Sequence, residues 1–357
     1  MMLTSLAVSN FRSYAQRHFE FHPRLTFIVG DNASGKTSIL EAVHLLSTGK
    51  SFRATKIDEM IRFEQELGRV VVTIGDGEES ETLEVMLTRG LVQGKRTPPT
   101  LFSLNGAPKR KKDVVGNLLS VAFRPEDMRL IEGSPSRRRQ FLDAPLSLTS
   151  SSYAQSLKTY EEALKKRNRL LTQIREGEMS REVLKYWDLQ LIKHGQIIQE
   201  LRRQFIYFFH DVAFDVPFSL EYDWSEISPA RLAQYDRAEV AAGHTLVGPH
   251  KDDIHVKMSN PVVDVAIYGS RGQQRLAVLW LKLGESLYVK EQAEQLPVIL
   301  LDDILSELDE DHRHLVLKLF QDNQVVLTTA EPFHIAEVTA IQPDLAMVRL
   351  DSPVELR

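Results

Sequence analysis

Leu25-Thr26-Phe27-Ile28-Val29-Gly30-Asp31-Asn32-Ala33-Ser34-Gly35-Lys36-Thr37 decides how this chain is read. An apolar run ends in glycine, and Gly30 to Thr37 matches G-x-x-x-x-G-K-[ST]. Beyond it Ile39, Leu40, Val43, Leu45 and Leu46 recur at helical spacing. Strand, glycine turn and amphipathic helix form the context in which this motif cradles phosphate. The glycines let successive backbone N–H groups converge on one concavity, and the helix N-terminus adds partial positive charge. Lys36 is expected at the β- and γ-phosphates of a nucleotide such as ATP, and the Thr37 hydroxyl at one Mg²⁺ position.

A phosphate loop needs an acid at the end of a neighbouring strand to hold Mg²⁺, and Pro297-Val298-Ile299-Leu300-Leu301-Asp302-Asp303 supplies that pattern. Asp302 is expected to orient the ion, and Asp303 to act on the γ-phosphate side as base or water-positioner. Tyr268-Gly269-Ser270-Arg271-Gly272-Gln273-Gln274 opens a further helix with Ser and Gly, which suits a second phosphate contact. Read alone, Ser270 is a plain N-cap. One phosphate loop and a second anion-binding helix start together point to a nucleotide shared between two copies.

Around these motifs the chain is α/β at both ends. Arg69 to Ile74 and Thr82 to Thr88 read as strands, and Leu101 to Leu104 turns at Asn105-Gly106, a hairpin signal. Tyr153 to Glu176 and Arg181 to His210 read as two long charged helices, an antiparallel pair interrupted at Glu176-Gly177-Glu178. Ile254 to Met258, Gln273 to Gln295, Pro297 to Leu301 and Val325 to Thr328 continue the second α/β part. The expected organisation is an ATPase head from 1–125 and 240–357 with a β-rich flank, and an inserted helical arm domain, 126–239.

Composition bounds the function. The 357 residues are 43% hydrophobic and 26% charged, which is ordinary globular composition. No cysteine means no disulfide, thiol nucleophile or Cys-ligated metal. With no signal-like N-terminus and no apolar run of about 18 residues, a cytoplasmic chain outside the membrane is expected. Net charge is −5, yet Thr88 to Gln140 holds twelve Lys or Arg against four acids, or +8, and Lys290 to Asp322 holds nine acids against three bases. The basic zone contains Lys109-Arg110-Lys111-Lys112 and Arg137-Arg138-Arg139, candidate contacts to a polyanion such as DNA. The bland alternative for the first run is a solvated hairpin tip. His250 is read as structural, His312 and His314 as surface residues, and Phe205 to Phe209 as packing.

The motifs then carry a resemblance. The phosphate loop, the S-x-G-Q segment and the D-D-x-x-S-E-L-D segment resemble the ABC-type ATPase heads of the SMC class, and the whole set resembles the RecF family of bacterial recombination mediators. Asn10-Phe11-Arg12-Ser13-Tyr14, Phe123-Arg124-Pro125-Glu126-Asp127-Met128, Gly133 to Asp143, Gly248-Pro249-His250-Lys251-Asp252-Asp253 and Ser306-Glu307-Leu308-Asp309 follow in that family's order. The resemblance implies an ATP-dependent homodimer in which Ser270, Gly272 and Gln273 of one copy close on the nucleotide held by the other's Lys36. It implies Arg12 as a phosphate contact, Asp309 at the dimer seam, and Glu126 or Asp127 in place of a Q-loop glutamine. Asp303 stands where most ABC ATPases have Glu, and Thr329 where many have histidine, so a weak, DNA-stimulated, switch-like ATPase is expected. The implied partners are duplex, gapped or junction DNA, RecO and RecR, and functionally RecA. The rivals are the ATP-binding subunit of a membrane transporter and a P-loop kinase, neither of which explains both the signature helix and the long insertion with its basic zone.

Overall fold

The computed structural model describes residues 2–75, 79–259, 261–331, 338–340 and 343–350. Contacts divide the chain into two compact units, 1–127 with 285–357, and 128–284. The first unit opens with β1 (Met2–Phe11), β2 (Tyr14–Glu20), β3 (Leu25–Gly30) and α1 (Lys36–Thr48). Strands β4 (Leu67–Gly75), β5 (Ser80–Thr88), β6 (Leu91–Val92), β7 (Lys95–Arg96), β8 (Thr100–Leu104), β9 (Ala107–Lys109) and β10 (Ser120–Phe123) follow. Six of them form an antiparallel sheet ordered β2-β1-β4-β5-β8-β9. Its alternating residues Val70, Val72, Ile74, Leu83, Val85 and Leu87 are buried, as a sheet with one wet face requires. The expected hairpin is present: Asn105 and Gly106, with φ of 51° and 76°, join β8 to β9 in the two-residue turn whose twist matches its strands.

The second unit holds α2 (Pro135–Thr149), α3 (Ser151–Arg175), α4 (Lys185–Phe208), β11 (Phe218–Asp223), α5 (Pro229–Ala242), β12 (Asp253–Ser259), β13 (Val262–Asp264), α6 (Val265–Tyr268) and most of α7 (Arg271–Ala293). Arg167 meets Asp188, and Arg202 meets the Tyr153 hydroxyl, so α3 and α4 run antiparallel as their sequence predicts. Phe205 and Phe209 stack edge to face 5.2 Å apart and pack on Phe141 and Trp280, which makes them core.

This unit is larger than the expected 126–239 arm, because residues from 240 onward fold with it. Strand β12 pairs antiparallel with β11 and β13. The buried Arg202 donates to Asp252 (2.9 Å) and Asp143 (2.7 Å), and the Tyr222 hydroxyl donates to Asp252 (2.5 Å). A buried guanidinium left without these carboxylates would cost several kcal/mol, roughly 3–5, so Asp252 has to sit beside α4. Sequence spacing could not show that pairing.

The chain returns to the first unit with β14 (Val298–Asp302), α8 (Glu310–Leu319), β15 (Val325–Thr329) and β16 (Leu345–Leu350). They complete a five-stranded parallel sheet ordered β10-β14-β15-β3-β16. Strands β14 and β15 are buried throughout, which explains their unbroken apolar runs. No helix among the described residues is long and apolar enough to cross a membrane.

Candidate phosphate site

Parallel sheets gather chemistry at the carboxyl ends of their strands. Here β3 delivers Gly30 and the loop to Thr37, β14 delivers Asp302 and Asp303, β15 delivers Thr328 and Thr329, and β10 leads into Arg124 to Asp127. Residues 265 positions apart therefore meet: Thr37 Oγ1 donates to Asp302 Oδ1 at 2.9 Å, and Thr328 Oγ1 donates to the same oxygen at 3.0 Å.

The loop is built for close approach. Ala33 and Gly35 have φ of 69° and 102°. A Cβ on Gly35 would lie 2.6 Å from the Tyr14 hydroxyl, and one on Gly30 would lie 2.7 Å from Ser34 Oγ. Lys36 turns back over the loop, its ammonium donating to the carbonyls of Gly30 (2.6 Å) and Asp31 (2.8 Å). Burial lowers its pKa, and the negative charges of Asp303, Asp302 and Asp31 oppose that shift. Ser34 is buried, and its hydroxyl has no partner among the described residues. An ammonium resting on main-chain carbonyls, an orphaned hydroxyl and a hydroxyl-carboxylate pair fit a triphosphate with its magnesium, and Asp31 and Asn32 lie exposed at the mouth.

Burial raises the Asp302 pKa above the usual carboxylate range, helped by the charges of Asp303 and Glu126, while the bonds from Thr37 and Thr328 pull it down. A desolvated carboxylate of this kind gains most when a cation arrives. Asp303 adopts φ 50° and ψ 25°, a left-handed conformation that few residues besides Gly, Asn and Asp enter. Its amide donates to Thr328 at 3.1 Å, and Ala330 N donates to its carboxylate at 3.4 Å.

The two acids after β10 separate cleanly. Asp127 accepts from Arg124 N (2.9 Å) and Arg124 Nη2 (3.0 Å), so it closes the turn. Glu126 is exposed, and its charge reaches Asp302. Only the three-dimensional pairing of β10 with β14 reveals this preference.

Arg12 makes its described side-chain contacts with α1 and with the segment at Glu59. Its guanidinium forms a fork with Glu41, a fully buried carboxylate of α1, and donates to the Glu59 carbonyl at 2.5 Å. Arg12 thereby braces α1, because Glu41 would otherwise be a buried charge with no cation.

In the second unit Ser270 and Gln273 make a capping box at the start of α7: Ser270 N donates to Gln273 Oε1 (2.8 Å), and Gln273 N to Ser270 Oγ (3.3 Å). Ser270 is exposed, and nothing but its hydroxyl lies within 4 Å of a Cβ placed on Gly272. The plain N-cap reading is thus present, in a form that leaves this helix start open to solvent.

The basic runs divide. Lys109 ends β9 and is exposed, as is Lys112. Arg110 pairs with Asp113 at 2.9 Å. Lys111 caps the C-terminus of α1, its ammonium 2.5 Å from the Gly49 carbonyl. In the second unit Arg137 is half-buried, Arg138 forks onto Asp253 (2.6 and 2.8 Å), and Arg139 donates to the Asp252 carbonyl (2.9 Å), with burial lowering its pKa. Arg110, Lys111, Arg138 and Arg139 therefore each hold structure.

His250 is structural, as read: its ring meets the Tyr160 hydroxyl (2.8 Å) and the Thr245 carbonyl (3.1 Å), and burial pushes its pKa down to about 4. Asp309 caps α8 by accepting from His312 N, and the described residues contain no group of three or more acidic or histidine side chains placed to hold a metal.

With this geometry in hand, likeness to known proteins becomes informative. The RecF/RecN/SMC N-terminal domain family matches residues 2–341. Proteins named "DNA replication and repair protein RecF" from Agathobacter rectalis and Lachnoclostridium phytofermentans are 33% and 34% identical over 341 residues, covering 92% of this chain and of each relative. The structure of a recombination mediator protein, RecF-ATPrS in the RecFOR pathway, superposes with a TM-score of 0.85 at 28% identity, covering 99% of this chain and 96% of that one. A RecF-ATP structure from the same pathway gives 0.80 at 30% identity, covering 92% of each chain. An Smc head, at 17% identity and a TM-score of 0.50, shares the fold.

Proposed function

The chain belongs to the RecF family, and from that premise we propose that it is an ATP-switched DNA-binding protein of replication and recombinational repair. The observation that carries this reading is the 2.9 Å contact joining Thr37 of the phosphate loop to Asp302 of the neighbouring strand. Relatives named for replication and repair, and a RecF-ATP structure of the RecFOR pathway, give it its biological setting. Membrane transport has no such support.

In this reading the Gly30–Thr37 amides and Ser34 Oγ receive the triphosphate, and Lys36 leaves its two carbonyls for the β- and γ-phosphates. Thr37 and Asp302 hold Mg²⁺, which when bound neutralises phosphate charge and fixes the leaving group. Asp303 positions the attacking water, and Glu126 adds negative charge felt at Asp302. The short Asp303 carboxylate and the hydroxyl of Thr329 replace a longer acid and an imidazole, so turnover is slow and the ATP state is long-lived. Ser270, Gly272 and Gln273 of a second copy complete the site, and ATP thereby joins two heads. The joined heads clamp duplex DNA near a gap or junction, and hydrolysis releases it; RecO, RecR and RecA loading lie downstream.

The test is a titration of gapped duplex with and without Mg-ATP, alongside sizing of the protein. Tighter binding that tracks dimer formation is expected. Equal affinity and an unchanged size without nucleotide would remove the switch.

A further inference from the structure

We propose that the β6–β7 ribbon is a DNA-backbone docking groove in which Arg89 and Arg96 are the phosphate ligands. This rests on the DNA-binding reading above and gives it a location. The ribbon closes at Gln93 and Gly94, both at positive φ (50° and 73°), and its base is fastened by Thr97 N donating to the Gly90 carbonyl at 3.0 Å. No residue of 89–98 belongs to the hydrophobic core of this unit. A ribbon outside the core adds little to folding, so its side chains are available to a ligand.

Pairing sets the chemistry of each face. Leu91 lies opposite Arg96, and Val92 opposite Lys95, so Leu91 and Arg96 share one face and Lys95 projects from the other. On the Leu91 face an open concavity of about 500 Å³ is lined by Arg89, Gly90, Leu91, Arg96, Thr97 and Pro98. Leu91 is 53% exposed there, an apolar side chain in a lining that also holds Arg89 and Arg96. Arg89 is aimed by one bond, Nε to the Gln65 carbonyl at 2.8 Å, which leaves its Nη groups without a described acceptor. The Arg96 side chain makes no hydrogen bond or ion pair with a described residue, while its backbone pairs with β6 opposite Leu91. The nearby acid, Glu66, already accepts from Gln93 N at 2.9 Å.

Charge selects the occupant. Arg110, Lys111, Arg124, Arg138 and Arg139 of the basic zone are tied to acceptors of their own chain, whereas Arg89 spends only its Nε on the Gln65 carbonyl and the Arg96 side chain has no described acceptor. The two guanidinium groups suit phosphates and Leu91 suits the apolar face of deoxyribose, and the lining holds no Asn, Gln, Asp or Glu side chain. Arginine can also read guanine, so comparison of unrelated sequences separates backbone docking, which is the proposal, from base readout.

The experiment is a salt titration of duplex binding with Mg-ATP present, comparing wild type, the double variant Arg89→Ala with Arg96→Ala, and Lys95→Ala. Loss of two phosphate contacts should lower the log-log slope by about 1.8 and weaken binding about 60-fold at 0.1 M salt for each ribbon engaged, or by about 3.6 in slope when both heads of a dimer engage, equally on unrelated sequences. Lys95→Ala, on the other face, should match wild type. Melting with and without Mg-ATP verifies that the double variant is folded. If wild type binds DNA and the double variant keeps its slope, the groove assignment is overturned while the DNA reading stands. If the double variant instead loses only a polyglutamate probe that wild type binds, the groove is an acidic-protein site and the proposal is wrong. Wild type that binds no DNA in any nucleotide state overturns both.

Discussion

Asp302→Asn separates stability from function at the phosphate site. Burial favours the protonated carboxyl of Asp302, so its pKa is higher in the folded chain than in the unfolded one. A group shifted upward favours the fold below the unfolded value of 3.8, and that contribution is lost as pH rises through the folded-state pKa. At neutral pH the charge opposes folding. Asparagine keeps an oxygen for the bonds from Thr37 and Thr328 and removes the charge. The nucleotide-free variant should therefore be more stable than wild type by about 0.5–2 kcal/mol, the usual scale when an active-site compromise is relieved. For 357 residues unfolding together each kcal/mol raises Tm by roughly 1–2 °C. ATP at about 100 times its Kd should stabilise wild type by about 2.7 kcal/mol. In the variant, melting in ATP with magnesium and in ATP with chelator should coincide, because the carboxylate that holds the ion is gone. Differential scanning calorimetry across pH 4 to 8 checks both halves. A nucleotide-free Tm below wild type, or a full magnesium-dependent gain, would refute the reasoning.

Three more predictions follow from individual contacts. Asp303→Asn should bind ATP as wild type does and release phosphate at least about 10-fold more slowly, as expected for loss of a water-positioning carboxylate; unchanged phosphate release would remove Asp303 from that role. Lys111→Ala should destabilise the protein by about 0.3–1 kcal/mol through loss of the α1 C-terminal cap, whereas Lys109→Ala and Lys112→Ala should leave Tm unchanged; chemical denaturation distinguishes them. His250, held near pKa 4, must stay neutral in the fold, so stability should fall as pH drops from 6.5 towards 4, by about 3 kcal/mol in total, and His250→Asn should lack that component in pH-dependent denaturation.

Local signals were legible in the sequence wherever chemistry and geometry coincide. Gly30 to Thr37 between an apolar strand and an amphipathic helix, and Asn105-Gly106 between alternating strands, specify their own backbone, and both fold as read. The long helices were legible for the same reason. What escaped was long-range partnership. Nothing near Arg12 in the sequence announces its pairing with Glu41, and Lys111 looks like one of four equal bases until Gly49 appears at its tip. Arg202 demands Asp252 across 50 residues, and that demand, which no local pattern encodes, draws the segment after 240 into the second unit. Charges on the page are cheap to count, but only the fold says which are already neutralised.

The central claim is that one nucleotide site is built from two copies, and a mixing experiment tests it most directly. Lys36→Ala lacks the phosphate ammonium, and Ser270→Arg places a bulky cation at the start of α7, where it opposes the helix dipole. Neither variant alone should hydrolyse ATP. A mixed dimer pairs the intact Lys36 of one copy with the intact Ser270 of the other, so with two equivalent sites per symmetric dimer an equimolar mixture should regain about one quarter of wild-type sites. Phosphate release near that level from the mixture, and near zero from each variant, is the predicted result. A mixture as inactive as its components, or full activity from Ser270→Arg alone, would contradict the shared site.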